Sequence, residues 1–149
     1  MREVTASTNV DAPPEAVFEF LANLENLPRW QTGIVSAKLT TPGTVGAGSR
    51  AHVVRELIGQ RLAVDLELID HQPGRRLELA SEASGIRVVA ALDLAPEGDG
   101  TRLTFAMWIQ AQSIFMAPIE GMVAGAAERD IADSLERVRQ HFSTRPPSG

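Results

Sequence analysis

One stretch near the N-terminus decides the fold: Asn9-Val10-Asp11-Ala12-Pro13-Pro14-Glu15-Ala16-Val17-Phe18-Glu19-Phe20-Leu21, followed shortly by Leu27-Pro28-Arg29-Trp30. It predicts the end of a strand, a proline turn and an amphipathic helix from about Pro14 to Asn23. Proline suits a helix start because its ring fixes φ and the first-turn amides have no partner within the helix. Pro28 then opens a second short helix, which ends on the large aromatic side chain of Trp30.

Alternating apolar and polar residues mark the strands of this chain. The alternation over Val4–Val10 predicts a first strand with one buried face. After Gly33, short segments containing glycine or proline separate further apolar stretches, and connections this short favour hairpins over crossover helices. The further predicted strands are Ile34–Leu39, Ser49–Leu57, Arg61–Asp70, Arg75–Ser81, Ile86–Leu94 and Thr101–Gln112.

The C-terminal part of the chain predicts one long helix from about Pro118 to Phe142, roughly 37 Å in length. Apolar residues at steps of three and four form one stripe, and charged residues cover the other faces. A sheet of seven twisted strands curls. We therefore expect an α+β fold in which a curved antiparallel sheet wraps around the helix and leaves a cavity between them. The apolar stripe comprises Val123, Ala127, Ile131, Leu135, Val138 and Phe142.

The composition of this 149-residue chain limits the classes of function it can have. Its net charge of −5 and the absence of a Lys/Arg cluster argue against nucleic-acid binding. It has no cysteine, which excludes disulfides, thiolate nucleophiles and Cys-based metal sites. No apolar run approaches the ~20 residues that span a bilayer, and no signal-peptide pattern is present. We expect a cytoplasmic protein with one domain over residues 1–142 and a loose tail over 143–149.

Taken together, several short motifs resemble the START-like superfamily, and specifically its polyketide cyclase/dehydrase-type (SRPBCC) members with the helix-grip fold. The resemblance covers about residues 2 to 142 and implies a cavity for a small hydrophobic ligand that is lipid-, polyketide- or aromatic-like. It does not identify the ligand, because fold-level analogy gives only a class. The motifs are Ala12-Pro13-Pro14-Glu15-Ala16-Val17-Phe18, Leu27-Pro28-Arg29-Trp30, Gly46-Ala47-Gly48-Ser49, Pro73-Gly74-Arg75-Arg76-Leu77 and Gly98-Asp99-Gly100-Thr101-Arg102-Leu103-Thr104.

The inward faces of the predicted strands and helix supply most of the candidate ligand-binding residues. These candidates are mainly apolar, so the free energy of binding would come from burying apolar surface, with a few polar groups giving orientation. The candidates are Trp30, Val54, Arg55, Leu66, Leu79, Val88, Phe105, Met107, Phe115, Met116, Glu120 and Val123.

The strand Ser49–Leu57 carries the first candidates for chemistry, and its pattern leaves open which face points inward. His52 and Glu56 lie on the same face of this strand, and we favour a solvent-facing position for both. The alternative places them in the cavity as an acid/base pair. Arg55 lies on the opposite face, where it either meets a ligand carboxylate or phenolate or reaches solvent with its stem packed.

Glu120 and the apolar run Ile114–Pro118 are the second group of candidates. Glu120 falls in the first turn of the long helix, where a carboxylate stabilises free amides and the helix dipole; the alternative is a ligand-orienting carboxylate at the cavity mouth. An exposed apolar loop marks a binding mouth, a homodimer contact or a membrane-docking site. Met116 suits an adaptable ligand surface.

Three functions are consistent with this pattern. We favour binding or transport of a small hydrophobic ligand in the cavity. The first alternative is a polyketide cyclase/dehydratase-type enzyme that moves protons through His52, Glu56, Arg55 or Glu120, although the sequence contains no convincing catalytic set. The second is a protein-interaction module with a collapsed cavity. The histidines form no metal-binding motif, so we expect no metal and no cofactor.

Overall fold

The computed structural model describes residues 2–57, 59–83 and 85–143. Seven strands form one curved antiparallel sheet, and a 25-residue helix lies across it, so the predicted α+β helix-grip fold is confirmed. None of the helices in the described ranges is long and apolar enough to cross a membrane. The elements are β1 (Arg2–Val10), α1 (Pro14–Ala22), α2 (Leu27–Trp30), β2 (Ile34–Leu39), β3 (Arg50–Leu57), β4 (Gln60–Gln72), β5 (Arg76–Ala83), β6 (Ile86–Glu97), β7 (Gly100–Ala111) and α3 (Ala117–His141), with 3₁₀ turns at Leu24–Asn26 and Ile114–Met116.

Strands β2 to β7 form a meander, and β1 pairs with β7 at one edge of the sheet. The strand order is β1-β7-β6-β5-β4-β3-β2, and every neighbouring pair is antiparallel. The pairing register shifts between Ile34 and Ser36 in β2 and between Leu68 and Asp70 in β4. Because such irregularities bend a strand and increase its twist, they help the sheet to curve around α3.

The Gly98–Thr104 motif, at the hairpin between β6 and β7, joins the turn after β1 to the sheet. Thr101 Oγ1 donates a hydrogen bond to the carbonyl oxygen of Ala12 at 2.7 Å, where the chain leaves β1 for α1. A Cβ atom at Gly100 would collide with the carbonyl oxygen of Val10. Only glycine therefore allows β1 and β7 to approach this closely, which explains the Gly100-Thr101 pair in the sequence.

The predicted ends of the elements differ from the structure by a few residues. Helix α3 begins at Ala117 and ends at His141, one residue earlier at each end than predicted. Ser49 precedes β3 instead of opening it: its amide donates to the carbonyl of Gly46 and its hydroxyl accepts from the Gly46 amide, which makes it part of the preceding turn. Of the predicted loose tail, residues 144–149 lie outside the described residues.

Helix α3 buries the predicted stripe against the concave face of the sheet. Val123, Ala127, Ile131, Leu135 and Val138 are all buried. Phe142, the last predicted member of the stripe, follows the helix and packs edge-on against Phe20 with a ring centroid separation of 5.5 Å. One face of α3 thus forms one wall of the core, as the helical spacing of its apolar residues predicts.

Candidate functional site

A cavity of about 120 Å³ lies between the concave face of the sheet and the part of α3 from Ile119 to Ser134. Strands β3 to β7 and helix α3 all contribute to its wall, and most of the contributing side chains are apolar. Its lining residues are Gln31, Arg55, Leu62, Val64, Ser81, Ala83, Ile86, Val88, Phe105, Met107, Ile109, Ile119, Val123, Ala127, Asp130, Ile131 and Ser134.

A smaller space of about 20 Å³, which we call the inner chamber, shares part of its lining with this cavity. Gln31, Arg55 and Ser81 line both spaces, so these polar residues stand at the boundary between them. Leu66 and Leu79 line the inner chamber. Its volume is enough for about one water molecule or one small polar group.

Arg55 is the polar group whose environment is most unusual. Its Nε atom is buried and has no hydrogen-bond partner, and the structure gives Arg55 no ion pair with any described residue. Burial lowers the pKa of the Arg55 guanidinium, and the negative charge of Asp130 opposes that effect. The cavity therefore contains a guanidinium that has lost water on its Nε side without gaining a bonded partner.

Asp130 contributes the negative charge of the site from α3. Burial raises the pKa of its carboxyl group, while Arg55 and then Arg129 act in the opposite direction; Asp133 adds to the rise. Asp130 and Arg55 thus stabilise each other's charged forms at a distance. Together they form one polar region in an otherwise apolar wall.

Gly33 brings the segment after α2 close enough to complete this polar region. Its φ is +98°, a backbone conformation that favours glycine, and a Cβ atom there would lie 3.3 Å from the carbonyl oxygen of Glu56 and 3.5 Å from Oδ2 of Asp130. The carbonyl of Gly33 accepts a hydrogen bond from the Glu56 amide, and the amide of Thr32 donates to Ser134 Oγ at 2.9 Å. Gln31 is consequently held at the cavity wall between β3 and α3.

The structure places seven of the candidate residues at these two spaces. All of them come from strand positions of one face or from the buried stripe of α3, as alternation and helical periodicity predict. Those at the main cavity are Arg55, Val88, Phe105, Met107 and Val123, and those at the inner chamber include Leu66 and Leu79.

The other face of β3 points away from the cavity. His52 Nδ1 lies 3.0 Å from Asp65 Oδ1, and Glu56 accepts a hydrogen bond from Arg61 Nε at 3.2 Å; all four side chains are about half or more exposed. Because side chains alternate along a strand, the inward position of Arg55 turns His52, Val54 and Glu56 outward. The cavity therefore has no His52–Glu56 pair, and the expectation that Val54 lines it must be corrected.

Trp30 lies in the second layer behind the cavity wall. It is completely buried, and its ring meets that of Phe105 at a centroid separation of 5.8 Å and an interplanar angle of 61°. It does not line the cavity, but Phe105, which it contacts, does. Its Nε1 atom is buried without a hydrogen-bond partner.

Three candidates near the start of α3 also lie outside the cavity. Phe115 is 86% exposed, and Met116 packs near Gly85 in the hairpin between β5 and β6. Glu120 Oε2 accepts a hydrogen bond from the amide of Ala111 at 2.8 Å, which holds the pKa of this carboxyl group below its usual value. Glu120 thus joins the end of β7 to the first turn of α3.

Sequence reasoning missed Gln31, Ser81, Asp130 and Ser134 as cavity residues. Asp130 follows Ala127 by three positions and precedes Ser134 by four, which is the spacing of one helix face. This spacing is visible in the sequence, but Asp130 lies among charged residues, which indicate a solvent-exposed helix face.

A family model described as polyketide cyclase / dehydrase and lipid transport matches residues 1–143. No curated protein matches the chain significantly.

Solved structures with the same fold include a START superfamily protein from Mycobacterium smegmatis, with a TM-score of 0.76 and 15% identity over 95% of this chain and 99% of that one. TTHA0849 from Thermus thermophilus has a TM-score of 0.68 and 23% identity over 95% of this chain and 100% of that one. The di-domain ARO/CYC BexL from the BE-7585A biosynthetic pathway has a TM-score of 0.73 and 19% identity, covering 98% of this chain and 48% of that one. At these identities the likeness shows the shared fold.

Proposed function

We propose that this chain, which belongs to the polyketide cyclase/dehydrase and lipid-transport family, binds one small apolar molecule in the cavity between the sheet and α3. The observation that carries the proposal is the cavity of about 120 Å³ with a mainly apolar wall. Water gains few hydrogen bonds in such a space, whereas an apolar guest loses unfavourable contact with water when it enters.

The size of the cavity favours a ligand, or a buried part of a ligand, of about one ring. An engineered apolar cavity of about 150 Å³ is large enough to bind benzene, which makes a single six-membered ring the matching guest here. Burying roughly 200 Å² of a ring at about 25 cal/mol per Å² contributes about 5 kcal/mol. That contribution corresponds to a dissociation constant of about 0.2 mM for a guest without polar contacts.

Binding of toluene to the Trp108→Phe variant tests this proposal. Trp108 pairs with Glu3 and Val89 in the sheet and does not line the cavity, so its removal leaves Trp30, beside the cavity residue Phe105, as the only tryptophan. We expect a saturable change in Trp30 fluorescence. At five times the dissociation constant, toluene adds about 1 kcal/mol to the free energy of unfolding, which raises the melting temperature by about 2–4 °C. If toluene changes neither the Trp30 fluorescence nor the melting temperature, ligand binding in this cavity is contradicted.

Asp130 supports a second candidate function, proton transfer of the polyketide cyclase/dehydratase type. A desolvated carboxyl group near a buried cation is a common arrangement in acid/base sites, and the solved relative BexL is itself named as an ARO/CYC protein. The variant Asp130→Asn separates the two functions: it abolishes turnover of a poly-β-keto substrate if Asp130 transfers protons, and it leaves toluene binding intact in either case.

A further inference from the structure

We infer that the ligand of the cavity is a ring-sized carboxylic acid, whose carboxylate binds the buried edge of Arg55 while its apolar ring occupies the space under α3. This inference rests on the proposed binding function and adds the chemical class of the ligand.

Arg55 has a buried hydrogen-bond donor without a partner. A guanidinium forms its strongest pairs with carboxylates through two parallel N–H···O bonds. The Nε edge of Arg55 provides such a fork, and the buried Nε has no protein partner. Leaving a buried charged donor unpaired is costly, so a ligand carboxylate that supplies both oxygens has much to gain at this position.

The charges around the cavity also favour an anionic ligand at Arg55. Among the lining residues that the structure describes, Arg55 is the cation and Asp130 the anion. Asp130 acts on Arg55 through its field and makes no ion pair with it. The guanidinium therefore keeps room for a second, directly bonded anion, and Asp130 opposes that anion by repulsion.

Arg55 is also well placed to bind the head group of a ligand whose ring fills the main cavity. Arg55, Gln31 and Ser81 line both the main cavity and the inner chamber of about 20 Å³, together with the apolar residues Val88 and Met107. A carboxylate at this boundary would meet polar side chains, while Phe105, Val123 and the rest of the main cavity would surround the ring. The site thus has one polar end and one apolar body, which matches an amphiphilic acid better than a hydrocarbon.

Benzoate and toluene are matched probes because they share the ring and differ in the head group. At pH 7, where benzoate is ionised, Arg55→Met should weaken benzoate binding by about tenfold or more and leave toluene binding within about twofold. Asp130→Asn should strengthen benzoate binding by about threefold or more, because it removes a negative charge near the carboxylate. Arg61→Met is the control: Arg61 is an exposed arginine at the Glu56 side chain on the outer face, and its loss should change neither affinity.

Isothermal titration of the four proteins with both probes decides the inference. Benzoate affinity that is unchanged in Arg55→Met, with toluene still binding, overturns it and leaves the proposed function standing. Failure of both probes to bind the wild-type protein overturns both. If Arg55→Met also loses toluene binding, the variant is damaged and Asp130→Asn decides instead: a gain in benzoate affinity supports the inference, since damage does not strengthen binding, and no gain overturns it.

Discussion

Replacing Trp30 by alanine is expected to lower the free energy of unfolding by about 3–5 kcal/mol, the usual cost of deleting a large buried aromatic side chain. Trp30 is completely buried, is the largest of the fully buried side chains, and contacts the Phe105 ring edge-on. Its removal leaves a void behind the cavity wall that the close-packed core cannot fill without moving Phe105. Urea denaturation, followed by far-UV circular dichroism, measures the loss.

Two control variants separate the packing of Trp30 from its polar atom. Trp30→Phe keeps an aromatic ring and removes the buried, unpartnered Nε1–H group, so the loss of volume is partly offset and the cost should stay below about 2 kcal/mol. Trp108→Ala removes the same side chain from a half-buried position of β7 and should cost less than Trp30→Ala. Equal losses for the two alanine variants would contradict the central packing role of Trp30.

The fold could be predicted from the sequence because its elements are long and strongly periodic. The stripe from Val123 to Val138 placed α3 to within one residue at each end, and the glycine turns separated the strands of the meander. Strand ends were less certain because turn hydrogen bonds decide them. The Ser49 hydroxyl, for example, bonds to the Gly46 amide, a contact that no local pattern distinguishes from the start of a strand.

The site could be predicted only in part, because its polar region joins distant segments. Strand β3 carries one arginine among apolar residues on one face, and an arginine, a histidine, a valine and a glutamate on the other, so its pattern favours the first face as the buried one but does not place the charged Arg55 in the cavity. Pairing with β4 and contact with the Gly33 turn decide that Arg55 points inward. Asp130 reaches the same cavity from α3, and its role depends on how the helix is rotated against the sheet, which a single sequence does not specify.

The exposed position of Phe115 has a different cause. An apolar run before a helix predicts that its side chains contact a ligand, another protein or the core, but it does not determine which of these. In the structure, Ile114 and Phe115 are 84% and 86% exposed, while Ile119, which follows within the first turn of α3, lines the cavity. A shift of a few residues along the chain therefore separates a cavity residue from a surface residue, since helix geometry turns successive side chains by about 100°.

Replacing Ala127 by phenylalanine is expected to abolish the binding of toluene and benzoate, with a loss of about a hundredfold or more. Ala127 lies on the buried face of α3 and lines the cavity, so the added phenyl group occupies the space that we assign to the ring of the ligand. Two rings cannot share a volume of about 120 Å³ at the packing density of a protein interior. The free energy of unfolding should change by no more than about 2 kcal/mol, because the gain from filling the cavity offsets the strain of the larger side chain.

Ala132→Phe is the matched control for this variant, since Ala132 lies on the same helix but is exposed. It adds the same ring without touching the cavity and should bind both probes with wild-type affinity. The two variants and the wild-type protein are compared by isothermal titration and by thermal unfolding. If Ala127→Phe folds and still binds toluene with wild-type affinity, toluene occupies some other place, and the cavity under α3 is not the ligand site. If Ala127→Phe loses binding and Ala132→Phe does not, the ring of the ligand lies between α3 and the sheet, which is the position from which a carboxylate would reach Arg55.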